Sequence, residues 1–476
     1  RSLGEPPSRR QRGSLAVLPF GNLGQDEDYA FLSNSLPAQL IEELALISGL
    51  QVTNRTSSFA VKKTGEDVKS MAKALDVNYL LDGDLQYDQR TNRIRISTQL
   101  INAGNRYIMW TKTFEDDFEN IQQIQKDVNR KVAAQLRVQL LPEEDKALSR
   151  QIAENSEAYR LYMEAREYGH KRTEPDLKKA IELANKAVEL EPNFAEAHAA
   201  LCTFYGLRAG YGNFSKKERD HFQELHLNKA LEIAPDLPEV LQAKAARKIW
   251  ILNDSTDVVE DLRRAIEQKP GFVEAHYAMY NALSWRGDRE AAKKSLEKVL
   301  QLDPGNNFYN AMLAKTLFYG YEEQEKAMAL IDRQLLINPD DPNANRLALF
   351  KSLFIVEAYG DKVESFKIRH KEFKKNPTER WNLNYGLLGA LGIDLAPWSE
   401  KLGRTMQLHY PDTPAIYNNM GSLYAFKRDF NAYQELVQYA LQQEWIDQKE
   451  ATLTTSFIKL MLGETSEACQ LFEDEF

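Results

Sequence analysis

The chain has 476 residues, 43% hydrophobic and 28% charged, with a net charge of −9 and two cysteines. That length predicts about three ordinary globular domains and is ample to bury a core without disulfide or metal staples. No apolar run approaches the ~18 residues of a membrane span, and the mild acidity argues against a chain built to wrap nucleic acid.

In chain order, Arg1–Gly13 is polar, carries four arginines and reads as a linker rather than a signal peptide. Leu15–Phe20 is a short buried-strand signal closed by Pro19 and the Gly21–Gly24 turn. Tyr29–Ile47 has apolar residues at helical spacing through Leu36, Leu40, Leu44 and Ile47. Leu50–Thr53 predicts a strand and Asp67–Leu75 a short helix. Tyr79–Tyr87 and Arg93–Leu100 alternate with period two around a turn at Arg90–Asn92. A third strand, Tyr107–Phe114, follows the Gly104-Asn105 turn, and Phe118–Leu140 is a long amphipathic helix. Mixed helices and antiparallel hairpins predict an α+β domain over residues 14–141, with 142–155 as a connecting helix or linker.

From Ser156 the pattern changes to a repeat. Prolines close apolar helical runs at Pro192, Pro235, Pro270, Pro304, Pro339, Pro377 and Pro411. Their spacings of 43, 35, 34, 35, 38 and 34 residues centre on the tetratricopeptide period. The clearest unit runs from Glu274 to Pro304, with a turn at Gly287-Asp288. Small residues recur where paired helices must approach: Ala180, Ala292 and Ala327, then Ala187, Ala230 and Ala265. Tyr417–Phe430 matches again, with Gly421 and Tyr424 at the small and aromatic positions. About nine units are expected over 156–476, with an insertion near Gly210–Lys217 and a break at Gly392–Pro397. Arrays usually end in a polar cap; the last unit shows none, so a truncated chain or a covering partner is expected there. The expected fold is an α+β N-terminal domain followed by an all-α tetratricopeptide-repeat superhelix.

The first domain resembles the TolB N-terminal-domain-like module, also described as FlgO-like. The resemblance rests on AVLPF (Ala16–Phe20), TSSFAVK (Thr56–Lys62), ALDVNYLLDG (Ala74–Gly83), RIRISTQLINA (Arg93–Ala103) and MWTKTFEDD (Met109–Asp117). In bacteria this module followed by repeats implies the sensory region of a membrane regulator. Such regions stand after a winged-helix domain of the ToxR or CadC type, or a cyclase domain, and a single membrane span. The resemblance implies the periplasmic side of an inner-membrane protein. The basic flank at Arg9, Arg10 and Arg12 favours the cytoplasm instead, or is a plain solvated linker.

No GxxxxGK[ST], GxSxG or HExxH pattern occurs. Cys202 and Cys469 have 266 residues between them, which excludes a disulfide framework or cysteine-built zinc site. His198 and His276 share a Glu-Ala-His context and are expected to pack at the start of helix A. His221 and His226 are five apart, so they do not form an i,i+4 metal pair. Cys202 reads as a buried structural thiol. Asp254, Asp257, Glu260 and Asp261 could hold a cation, or could complement a helix start. No catalytic, cofactor or metal residues are assigned, and the expectation is a non-enzyme.

What remains is the concave wall of the repeats. Its expected lining is Glu274, Tyr277, Asn281, Ser284 and Trp285 in one unit, then Tyr309, Met312, Thr316 and Tyr319 in the next. Such rings suit peptide recognition or pack against neighbouring helices. The functional expectation is a sensory and protein-interaction region binding a protein or peptide. It forms possible homodimers, makes no direct nucleic-acid contact and meets the membrane only through an upstream segment. An envelope scaffold or the sensory region of an adenylate cyclase are the alternatives.

Overall fold

The structure, a computed structural model, describes residues 13–24, 29–62, 67–211, 216–250, 257–321, 323–337 and 344–375; beyond 400 it describes chiefly 429–443, 448–462 and 464–475. The chain divides into two compact units, Arg1–Leu207 with Phe222–Leu313, and Arg208–His221 with Ala314–Phe476.

The first unit opens with β1 (Gly13–Val17), β2 (Gly21–Asn22), α1 (Leu32–Leu44), β3 (Leu50–Thr53), α2 (Arg55–Lys62) and α3 (Val68–Leu75). Then come β4 (Tyr79–Asp88), β5 (Arg93–Asn102), β6 (Ile108–Asp117), a 3-10 turn at Phe118–Asn120, α4 (Ile121–Gln135) and α5 (Pro142–Ser149). The strands form one sheet in the order β3-β1-β4-β5-β6, with β2 beside β4. β4, β5 and β6 are the antiparallel hairpins read from the alternation. β1, however, runs parallel to both β3 and β4. Helices carry the chain back between those strands, and parallel pairing needs such crossovers. One crossover helix, α2, falls on the TSSFAVK motif, which apolar spacing does not mark as a helix.

The two faces of the sheet are covered by different helices. Leu18, Leu80, Ala72, Leu75 and Val77 form a cluster on the α3 side, while α1 and α4 pack against β1, β4 and β6. The helix expected over Phe118–Leu140 ends at Gln135, because Arg137 turns into the left-handed region at φ 56°. Five residues later Pro142 opens α5 at its first turn, where the missing N–H costs nothing.

Helix pairs follow: α6 (Ser156–Lys171) with α7 (Glu174–Leu190), α8 (Ala195–Tyr211) with α9 (Lys216–Ile233), and α10 (Pro238–Trp250) with α11 (Val258–Gln268). α12 (Val273–Trp285), α13 (Arg289–Leu302) and α14 (Asn307–Gly320) continue the series. Ala180, Ala187, Ala230, Ala265 and Ala292 are all buried, as close helix contact requires. The residues before three of the closing prolines leave the helical region: Glu191, Lys269 and Asp303 have φ near −135° and ψ of 86°, 79° and 69°. The proline ring disfavours the helical region for the residue that precedes it.

A polar side chain six residues later ties each such turn. His198 Nε2 donates to the Pro192 carbonyl (3.1 Å), His276 Nε2 to Pro270 (3.0 Å) and Asn310 Nδ2 to Pro304 (2.9 Å). With its Nε2 proton used in this way, His198 accepts at Nδ1 from His226 Nδ1 at 3.0 Å. Burial, and then the neighbouring His198, push His226 down to about 4, and burial lowers His198 as well.

The second unit contains α15 (Gln324–Ile337), α16 (Ala344–Tyr359), α17 (Lys362–Lys375), α18 (Phe430–Gln442), α19 (Gln448–Leu462) and α20 (Thr465–Glu475). Phe318 stacks on Phe354 at 4.0 Å, and Met420, Leu436, Val437, Ala451 and Ile458 share a core. The expected break at Gly392–Pro397 lies outside the described residues. No helix among the described residues is long and apolar enough to cross a membrane.

Candidate functional site: the junction of sheet domain and repeats

Two repeat turns, Lys269-Pro270-Gly271 and Asp303-Pro304-Gly305, meet the sheet domain. The buried Asp303 carboxylate accepts from the Ser57 backbone N–H (3.2 Å) and hydroxyl (2.8 Å) in the first turn of α2. A carboxylate there satisfies helix donors that have no partner within the helix and complements the dipole. Gly305 N–H returns a bond to Ser57 Oγ at 2.8 Å, and Asn54 N–H donates to the Leu302 carbonyl at 2.8 Å. A side chain at Gly271 would place its Cβ 2.5 Å from Ala45 Cβ, so only glycine lets the turn reach α1. Arg55 clamps Glu167 of α6 with two bonds of 2.6 Å, and Tyr159 of α6 donates to Gln125 of α4 at 3.0 Å.

Between these clamps lies a charge cluster in which Lys269 is buried and its partners are half-buried. Lys269 Nζ sits 2.9 Å from both Glu42 of α1 and Glu239 of α10, and Arg166 of α6 also pairs with Glu42. Burial works to raise the Glu42 carboxyl, but the two cations prevail and hold it well below its ordinary range. Its neighbour Glu43 behaves in the opposite way. Burial pushes Glu43 up to about 7, held back by hydrogen bonds from Gln39 and Asn129 rather than by an ion pair.

Beside the cluster opens a cavity of about 890 Å³, bordered among others by Glu43, Leu148, Arg150, Tyr162, Glu196 and Glu239. Arg150 there pairs with the buried Glu196. Such an arrangement can bind and can transmit. It holds two modules by ion pairs centred on a buried ammonium, and removing one partner of such a pair is costly.

The residues expected to line the groove separate into three groups. Tyr309 is buried with Val273, Leu296 and Val299, while Asn281 is buried and donates to the Tyr277 carbonyl at 2.7 Å. Glu274 borders a small enclosed space together with Ala38 and Glu42 of α1 and Ala45 just after it, so the chain's own first domain lies against it. Tyr277 stacks on Trp250 and meets Phe308 edge-on, and Met312 and Thr316 are half-buried. Ser284, Trp285 (47%) and Tyr319 (50%) are exposed, the last donating to Glu357 at 2.8 Å.

Trp250, equally exposed at the end of α10, is a residue the sequence reading missed. Its 35-residue spacing from Trp285 could have found it. The glycines that follow Pro270 and Pro304 could likewise have marked the docked turns, since the prolines at 192, 235, 339, 377 and 411 are followed by Asn, Asp or Thr.

Cys202 is buried, which pushes its thiol up to about 12, and Cys469 is exposed. Asp261 pairs with Lys244 at 2.7 Å and Glu260 with Arg263, while Asp254 and the arginines 9, 10 and 12 lie outside the described residues. No group of three or more metal-ligating side chains occurs among the described residues.

Residues 10–131 match the second domain of the HilA/YgeH-like transcriptional regulators, and residues 286–306 match a tetratricopeptide repeat. A stretch of 196 residues, 41% of the chain, is 30% identical to a putative adenylate cyclase 3 of Rhizobium meliloti (strain 1021) and covers 33% of that protein. The chain therefore spans about a third of this curated relative's length.

Among solved structures, similarity extends to Pseudomonas aeruginosa PilF (16% identity, 47% of this chain and 95% of that one, TM-score 0.33). It extends also to the human IFIT1 dimer with m7Gppp-AAAA (14% identity, 74% and 76%, TM-score 0.39). At those scores neither bears on function. The chain joins a domain similar to that regulator domain to tetratricopeptide repeats, a combination that fits a regulatory or protein-interaction role.

Proposed function

We propose that this chain is the non-catalytic sensory and interaction region of a bacterial membrane-anchored transcriptional regulator, on the periplasmic side, whose repeats bind a protein or peptide segment. The observation that supports this reading is the Glu42 cluster. Lys269 and Glu239 of the repeats and Glu42 of the sheet domain share one ion network around the buried Lys269, so a ligand that strains the repeats changes the cost of keeping the domains docked. A ligand shifts such an equilibrium only by its differential affinity for the two states.

The exposed Trp250 and Trp285, which close α10 and α12, offer large rings of the kind that dominate peptide contacts. The TolB-like motifs support the ToxR- or CadC-type setting. In the full-length receptor, Trp250→Ala with Trp285→Ala is expected to lower ligand-dependent output about tenfold or more. Unchanged output after removal of Ser156–Phe476 would sink the whole reading.

A second reading, favoured by the 30% identical relative, places the same region beside an adenylate cyclase domain. Cyclase activity in the complete protein, with no binding to promoter DNA, would select it.

A further inference from the structure

The two edges of the sheet are treated differently. At one edge β3 is buried at Leu50, Val52 and Thr53, and the repeats reach the following residue through the Asn54–Leu302 bond. At the other edge β6 pairs only with β5 among the described residues. Of its ten residues only Phe114 is buried, and Tyr107 (73%) just before it and Ile108 (56%) at its start stand in solvent.

An open edge is a template for another strand, and proteins blunt it with brevity, proline, bulges or lysines. β6 has a single irregularity, where Trp110 pairs with Leu100 but Ile108 pairs with Ile101, leaving Met109 as the extra residue. Beyond it Trp110–Asp117 runs in unbroken register, without proline and with one lysine. That lysine lies along its own strand, its Nζ 4.4 Å from the centre of the Phe114 ring.

The strand is charge-polarised. Lys112 lies towards its start, and Glu115, Asp116 and Asp117 close its end. Parallel self-pairing would set these anions beside each other, whereas antiparallel pairing opposes unlike ends. A two-fold axis perpendicular to the sheet keeps each residue on its own face, so opposed residues must share parity. Centring the axis on Phe114 opposes residue 112 to residue 116, and does so twice. Each Lys112 then faces an Asp116 of the other copy, with the two Phe114 side chains at the centre. Opposite charges and aromatic pairs placed across strands each stabilise a ladder.

We propose that β6 is a self-association edge, on which a second copy of this chain pairs antiparallel in the register centred on Phe114. This rests on the sheet alone and not on the reading of the repeats.

The test is sedimentation velocity of the full chain up to ~200 µM, with thermal melting to confirm that each variant folds. Wild-type protein should dimerise, and Lys112→Glu and Asp116→Lys should each weaken the dimer at least about tenfold, by placing like charges opposite. An equimolar mixture of the two variants should dimerise again. In the mixed dimer the introduced carboxylate of one copy faces the introduced ammonium of the other, and the unchanged Asp116 faces the unchanged Lys112. A wild-type monomer throughout, a dimer indifferent to both substitutions, or two folded variants that do not recover on mixing would each overturn the proposal.

Discussion

Four proline turns in the first unit share a skeleton yet serve different ends. The turns at Pro270 and Pro304 are followed by glycine and carry buried Lys269 and Asp303, and both dock on the sheet domain. The turn at Pro192 is followed by asparagine, and its Glu191 accepts from the backbone N–H groups of Glu154 and Asn155 at 3.0–3.1 Å. The turn at Pro235 is followed by Asp236, which is paired with Arg264 at the surface. The period sets where a turn falls, and the residues flanking the proline set what it touches. Small, closely approaching turns become joints, and polar, exposed ones stay outside.

This contrast can be broken by substitution. Lys269→Met removes the buried ammonium that the half-buried Glu42 and Glu239 share, while Glu42 keeps Arg166; urea denaturation of the full chain should show a loss of ~2–3 kcal/mol, less than for a fully buried pair. Gly271→Val forces a Cβ onto Ala45, with an expected loss of ~1–3 kcal/mol by the same measurement. Asp236→Ala, the matching change at an undocked turn, should fall within ~0.5 kcal/mol, as surface pairs do. A comparable loss at Asp236 would abolish the distinction between the two kinds of turn.

The joint and the repeat interior should also respond oppositely to pH. Glu43 is raised to about 7 in the folded protein, so its contribution is full below the unfolded value near 4.5 and is lost as pH rises towards 7. His226 is depressed to about 4, so its contribution is present above 6.5 and is lost as pH falls towards 4. Melting temperature against pH should therefore flatten on its falling side in Glu43→Gln and on its rising side in His226→Gln, each by an effect of order ~2 kcal/mol. Equal profiles for wild type and Glu43→Gln would remove that group from the joint's electrostatics.

The smallest effect concerns the ties within the turns. Asn310 makes in its repeat the bond that His276 makes in the preceding one. His276→Asn should therefore cost less than ~1 kcal/mol by urea denaturation, while His276→Leu, which orphans the Pro270 carbonyl, should cost ~1–3 kcal/mol.

Much of the fold was legible because its signals are local. β3 was read at its observed bounds, and α3 begins one residue after the Asp67 that caps it. The helix pairs followed from proline spacing and small residues. The parallel half of the sheet was not legible, since alternation describes a strand's faces and not its neighbours. The groove assignment failed to separate exposed from buried rings for a related reason. Trp285 and Tyr309 are both large rings expected on the same wall, yet the first ends its helix in solvent and the second fills the core between α12 and α13.

Sequence alone determined the order of modules, the repeat period, the buried alanines and the absence of the common catalytic motifs. Tertiary structure decided which repeats hold the first domain, why Glu42 and Glu43 titrate in opposite directions, and which edge of the sheet stays open. The division has a physical origin. Helix spacing and proline stops act over a few residues, whereas Lys269 meets Glu42 across 227 positions of chain, and no local pattern records that meeting.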